Sequence, residues 1–229
     1  MAARASCIVV GVGPGLGAAI GRRFAKAGHP VALAARRPER LAAYVGEIEA
    51  AGGSARAYGC DGTDESQMIE LFERAEADLG PARVAIYNAS GRVRKGIAEI
   101  GGEEFIEAWM RGCYGGFLLG REAAKRMLAR GEGTILFTGA TASVKSYAGS
   151  AGFAVGKYGL RALAESMARE LQPKNIHVAH FVIDGAIGVD EGEARLEPDA
   201  IAEAYYQTHA QHRSTWSWEV ALRPWVERF

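Results

Sequence analysis

The feature that most constrains this chain is the run Gly11-Val12-Gly13-Pro14-Gly15-Leu16-Gly17, set between an apolar stretch, Cys7-Ile8-Val9-Val10, and the helix-patterned Ala18–Phe24. Glycines at the junction of a strand and a helix let the backbone turn sharply and approach a ligand closely. They also leave N–H groups exposed at a helix N-terminus, where the dipole favours an anion. Two frames fit, G-x-x-x-G-x-G at 11, 15 and 17 and G-x-G-x-x-A at 13, 15 and 18. Either predicts a pyrophosphate cradle made by Gly11, Gly13, Gly15, Leu16 and Gly17.

The rest of the chain continues the alternation that this turn begins. Short apolar runs at 7–12, 31–35, 54–60, 84–88, 133–138 and 176–183 read as strands. Amphipathic stretches at 16–28, 38–51, 64–79, 103–130 and 150–172 separate them. Met68, Leu71, Phe72, Ala75 and Leu79 recur every three or four residues, the period of a helix with one buried face. Nearly continuous apolar strands imply helices on both faces of a parallel sheet, hence a doubly wound α/β fold. No linker divides the chain, so residues 1–229 are expected to form a single domain. In the tail, 197–212 returns to helical spacing and 215–222 predicts a last strand. Trp225 and Phe229 are expected to pack on this subunit or a neighbour.

Composition removes several functional classes. With 27 basic and 27 acidic residues the net charge is zero, which gives no electrostatic reason to bind nucleic acid or an acidic membrane. No apolar run nears the roughly 20 residues of a membrane span. At 48% apolar and 24% charged residues the chain is too hydrophobic for a disordered one. Cys7, Cys60 and Cys113 are odd in number and far apart, which predicts reduced thiols in a cytoplasmic protein. His209 and His212 stand three apart on a helix, but no further ligand lies near them in sequence, and no metal is expected.

Ligand-facing positions follow from the strand ends. Arg36 and Arg37 end the second strand where an NAD-specific site places a carboxylate, so NADP(H) is expected over NAD(H). Asp61, after the third strand, reads either as an acceptor for an adenine amino group or as a helix cap. Asn88-Ala89-Ser90 ends the fourth strand at the carboxyl edge. Arg92, Arg94 and Lys95 read as a solvated loop or as a lure for an acidic substrate, the loop being favoured.

Together, Gly11-x-x-x-Gly15-x-Gly17, Asp61, Asn88-Ala89-Ser90 and the helix carrying Lys157 resemble the short-chain dehydrogenase/reductase family over roughly residues 7–185. The resemblance implies a Rossmann-type sheet of about seven strands in the order 3-2-1-4-5-6-7, with cofactor contacts from Ala89 and Lys157 as well. It also implies a homodimer or homotetramer that pairs the helices near 103–130 and 150–172. In the second helix Leu160, Leu163, Ala164, Met167 and Leu171 form a stripe broad enough for both core and interface.

The family's chemistry rests on an asparagine, a serine and Tyr-x-x-x-Lys, and here the chain departs from the pattern. The last motif reads Phe153-Ala154-Val155-Gly156-Lys157. Counting by the family's spacing puts Ala140 at the serine position and Gly112 at the asparagine position, leaving Lys157 as the retained member. Tyr147 and Thr141 are the candidate substitutes, with Ser143, Ser146 and Ser150 in the same loop. The expected function is an NADP(H)-dependent oxidoreductase on an unidentified carbonyl or alcohol, with a relocated proton donor. The alternative is a non-catalytic NADP(H)-binding sensor of the NmrA-like kind.

Overall fold

Apolar side chains alternate between the two faces of each central strand, and both faces are covered. The computed structural model describes residues 5–189 and 194–226. Its elements in chain order are β1 (Ser6–Val10), α1 (Leu16–Lys26), β2 (Val31–Ala35), α2 (Ala42–Ala50), β3 (Ala55–Gly59), α3 (Glu65–Leu79), β4 (Ala82–Tyr87), α4 (Gly102–Trp109), α5 (Gly115–Arg130), β5 (Gly133–Thr138), α6 (Ala151–Leu171), β6 (Ile176–Ile183), β7 (Ala186–Ile187), β8 (Arg195–Leu196), α7 (Pro198–His209) and β9 (Glu219–Leu222). Seven strands pair in parallel in the order β3-β2-β1-β4-β5-β6-β9. This is the expected Rossmann-type order, its seventh strand being β9 because the ribbon β7-β8 intervenes.

Ile8, Val10, Ala85, Tyr87 and Phe137 point to one face, against Met68 and Phe72 of α3, Leu118 and Leu119 of α5 and Leu160 of α6. Cys7, Val9, Val84, Ile86 and Leu136 point to the other, against Ile20 and Phe24 of α1 and Ile201 and Tyr205 of α7. Each such aliphatic or aromatic side chain taken out of water contributes roughly 1.5–3 kcal/mol before ordering costs. Helix α3 shows how local signals agree with this packing. Asp64 caps it by accepting from the Gln67 N–H at 3.0 Å, its stripe is buried at Met68, Leu71, Phe72 and Ala75 and partly so at Leu79, and Gly80, at φ +89°, ends it.

Several boundaries differ from the sequence reading. β1 stops at Val10 because Gly11 turns with φ +91°, and a Cβ there would lie 2.3 Å from the Ala89 nitrogen. The stretch 103–130 is two helices joined by a π-helical turn, Met110–Tyr114. The last strand begins at Glu219, not Thr215. Before it, the Trp216 indole stacks on His177 with centroids 4.7 Å apart and donates to the Gln211 carbonyl, which takes that segment off the ladder. The α6 stripe does serve the core: Leu160, Ala164 and Leu171 are buried in it, with Leu163 and Met167 packed against it. Trp225 is 78% exposed, and Phe229 lies outside the described residues. Among the described residues no helix is long and apolar enough to cross a membrane, and no cluster of His, Cys, Asp or Glu could hold a metal.

Candidate active site

The glycine turn sits at the carboxyl edge of the sheet, between β1 and α1, and its shape is one a ligand backbone could enter. A Cβ on Gly13 or Gly15 would meet nothing within 4 Å, whereas one on Gly17 would lie 2.8 Å from the Val12 Cα. Two of the glycines thus keep a cradle open and a third keeps α1 close to the turn. Helix α1 has no side-chain cap and no acidic residue in its first turn, so its N-terminal dipole is uncompensated. These residues fit a pyrophosphate.

On one side of the turn lies a cavity of about 530 Å³ lined by Arg36, Arg37, Arg40, Asp61, Asn88 and Arg111, among others. Arg36, Arg37 and Arg40 make no ion pair among the described residues. Sequence reasoning missed Arg40, which the single helical turn Pro38–Leu41 brings round beside the other two. It also missed Arg111, which no local signal could reveal because it arrives from the π-helical turn. Asp61 is not a helix cap, that role belonging to Asp64. Burial opposes ionisation of Asp61. Hydrogen bonds from the Thr63 N–H and hydroxyl, aided by the charges of Arg36 and Arg111, outweigh it and hold the carboxyl below its ordinary value.

A second cavity, of about 660 Å³, opens on the other side and shares Gly11, Gly13, Asn88 and Ser90 with the first. It gathers Lys157, Phe153, Ala140, Thr141, Tyr147 and Leu16. Lys157 is 2% exposed, and its ammonium donates to the Thr138 carbonyl oxygen at 2.7 Å. Burial pulls its pKa down to about 8, opposed by the nearby Cys113. The Phe153 ring lies beside it, with Nζ 6.0 Å from the ring centroid, so the aromatic ring occupies the expected place without a hydroxyl. Ala140 offers no donor from its side chain.

Gly112 lines neither cavity. A Cβ there would come within 3.1 Å of the Gly156 Cα, so this glycine serves the close crossing of the π-helical turn over α6. The Asn88 side chain is committed as well. Its amide donates to the Gly11 carbonyl at 2.9 Å and its oxygen accepts from the Thr138 hydroxyl at 3.0 Å, which ties the glycine turn to β5.

Among the hydroxyls, Ser143 is fully buried between the Ala140 N–H and His180 Nε2, at 3.1 and 3.3 Å. No substrate reaches it, although His180 in turn faces Glu219. The Ser150 hydroxyl is spent on the Tyr147 carbonyl. Tyr147, half exposed, is the one phenol among the described residues of the second cavity. Tyr158 is exposed on α6 and Tyr114 stacks between Trp109 and Phe117, so neither serves the site. Arg92 and Arg94, read from sequence mainly as solvated, line the second cavity, as does Arg195. His209 bonds Thr134 and His212 bonds Ser214, so the two histidines are not brought together.

Residues 5–190 match the family model described as short chain dehydrogenase. The chain is 29% identical over 185 residues to the 3-oxoacyl-[acyl-carrier-protein] reductase of Bos taurus, covering 80% of this chain and 76% of that one. Among solved structures it is similar to a short-chain dehydrogenase from Rhodopseudomonas palustris, with 42% identity and a TM-score of 0.89 over 96% of this chain and 99% of that one. A metagenomic short-chain oxidoreductase in complex with NADP is 28% identical, with a TM-score of 0.87 over 96% and 97%.

Proposed function

The chain belongs to the short-chain dehydrogenase family, oxidoreductases that use a nicotinamide cofactor, and on that premise we propose that it is an NADP(H)-dependent enzyme interconverting a carbonyl and an alcohol with a proton donor other than the family's tyrosine. The observation that carries this reading is that the two cavities meet at the glycine turn, sharing Gly11 and Gly13, with three arginines that make no ion pair among the described residues in one and Lys157 in the other.

In this reading Arg36, Arg37 and Arg40 take the 2′-phosphate, Asp61 accepts from the adenine, and Gly13 and Gly15 leave room for the pyrophosphate at α1. When bound, the nicotinamide supplies the hydride that reduces the carbonyl carbon, and the carbonyl oxygen then needs one proton. The Thr138 carbonyl holds one Lys157 N–H and leaves two to face the ribose hydroxyls. Phe153 closes the wall beside the lysine and excludes water. Tyr147 supplies the proton, and the Thr141 hydroxyl donates to the same oxygen; in the oxidative direction Tyr147 takes the proton back. A displaced acid is less well positioned than one on α6, so turnover is slow. Losing a positioned acid outright costs about 10²–10⁴ in rate. Identical subunits associate through Ile106, Trp109, Phe117, Val155 and Tyr158, exposed apolar side chains of α4, α5 and α6.

The test pairs NADPH binding, read by fluorescence, with NADPH oxidation over a panel of aldehydes and ketones. Binding with turnover that falls in Tyr147→Phe is expected. Binding with no turnover on any carbonyl would replace the enzyme by an NADP(H)-binding sensor.

A further inference from the structure

The second cavity carries a charge pattern that hydride transfer does not require. Arg92 and Arg94 reach it from the loop after β4, and Arg195 reaches it from β8, so its cations come from segments far apart in sequence. None of its described lining residues is an aspartate or glutamate. Lys95, next to Arg94, is neutralised by Glu104 at 2.8 Å. The guanidinium groups of Arg92 and Arg94 have no such carboxylate among the described residues. Arg92 instead lies over the Phe153 ring, 5.4 Å from its centroid, while the Lys157 ammonium lies 6.0 Å from the same centroid. A ring attracts cations through its quadrupole but has no net charge with which to neutralise them. The ring at the family's tyrosine position is therefore flanked by two cations, Arg92 and Lys157, and no carboxylate among the described lining residues balances them.

We propose that the substrate is an anionic carbonyl compound whose carboxylate or phosphate is held by Arg92 and Arg94, with its carbonyl toward Lys157 and Phe153. This rests on the oxidoreductase reading and adds the substrate class to it. A guanidinium presents a planar fork of donors that matches either oxyanion, and the Phe153 ring 5.4 Å from the Arg92 guanidinium carbon gives that side chain an apolar face to rest against. Arg92 and Arg94 are specificity residues here, which leaves the proton to another group.

The experiment uses two matched pairs, 4-oxopentanoate with its methyl ester and dihydroxyacetone phosphate with dihydroxyacetone. Binding to the full chain is measured by equilibrium dialysis with and without saturating NADP⁺. At least one anion is expected to bind about tenfold or more tighter than its neutral partner, the scale of a charge-assisted hydrogen bond. Which pair shows the difference tells carboxylate from phosphate. Arg92→Gln and Arg94→Gln should each remove most of that advantage and leave the neutral partner and NADPH binding unchanged. Lys95→Gln, at a cation already paired, should leave it intact. Equal affinity within both pairs overturns the proposal, as does an anion preference that survives both arginine changes or falls equally with Lys95→Gln. NADPH titration and neutral-ketone turnover on the same samples report separately on the oxidoreductase reading, since anion discrimination is measured without cofactor as well.

Discussion

The Lys157 ammonium on α6 donates to the carbonyl oxygen of Thr138, the last residue of β5, at 2.7 Å. The hydroxyl of the same threonine donates to Asn88 at the end of β4 and accepts from the fully buried Tyr205 of α7, at 3.0 and 2.8 Å. One residue thus joins four elements at the carboxyl edge, and it fixes the lysine without help from a neighbouring phenol.

This arrangement buries a charge, and its pH dependence follows. The folded-state pKa of Lys157, about 8, lies below its ordinary 10.5. Between those values the native state binds fewer protons than the unfolded one, so stability rises with pH across that window. At neutral pH both states are charged and burial costs on the order of 3 kcal/mol. Lys157→Met should therefore leave the melting temperature equal or higher and flatten its rise from about pH 8 to 10.5, while NADPH affinity falls. Calorimetry over that range, beside fluorescence titration, checks both; a large loss of stability in Lys157→Met would contradict the account.

The proposed preference for NADP(H) rests on the arginines that follow β2. Arg36→Ala, Arg37→Ala and Arg40→Ala should weaken NADPH binding, the strongest of them by about 1.5–3 kcal/mol, the worth of a charge-assisted hydrogen bond. NADH, which lacks the 2′-phosphate, should be nearly unaffected. Equal affinity of the parent for NADPH and NADH would remove the basis for this assignment.

Phe153 and Ala140 both face the second cavity, so a hydroxyl added at either has space. Phe153→Tyr places a phenol near an ammonium, which favours its ionised form. Alone it should raise carbonyl reduction modestly, because nothing orients the substrate oxygen. The double change with Ala140→Ser should exceed the sum of the single effects, as groups acting as one unit do. Steady-state NADPH oxidation on one activated ketone compares the four proteins. An additive double mutant would place the two positions in separate roles.

Two histidines make the fold sensitive to acid. Burial holds both His180 and His209 down at about 4, against an ordinary 6.5. Between those values the unfolded state binds more protons, so stability is full above about pH 6.5 and falls as pH drops toward 4. Each contributes on the order of 3 kcal/mol. Urea midpoints measured from pH 7 to 4 should fall, and His209→Phe should shallow the slope; an unchanged slope would assign the acid sensitivity elsewhere.

The association proposal is tested at Val155 and Tyr158, exposed positions of α6 that the subunit's own core does not use. Sedimentation at micromolar concentration should give a dimer or tetramer, and Val155→Glu with Tyr158→Glu should give a monomer with unchanged circular dichroism. A monomeric parent would refute it.

Much of this was legible in the chain itself. The glycine turn, the alternating apolar runs and the helical stripe at Met68, Leu71, Phe72 and Ala75 are local signals, since a strand's period of two and a helix's of 3.6 are written residue by residue. They were enough to anticipate the parallel sheet, its covered faces, and the places of Arg36, Arg37 and Asp61. The spacing of Phe153 from Lys157 sufficed to show that an aromatic ring without a hydroxyl lies beside the lysine.

Other features depend on contacts between distant segments and carry no local mark. Gly112 and Gly156 look like ordinary helix glycines until the π-helical turn and α6 cross at backbone contact. Arg40 and Arg111 enter one cavity, and Arg92 and Arg195 another, only because the sheet brings those loops to its carboxyl edge. The α6 stripe packs in the core as its apolar spacing allows, but that Val155 and Tyr158 stay exposed beside it was not marked in the sequence. Periodicity is a property of neighbours in sequence, so the sequence alone determined the elements and the glycine cradle. Which side chains share a cavity, and which charges stay unpaired there, depends on the packing of elements far apart in the chain, and only the tertiary structure decided it.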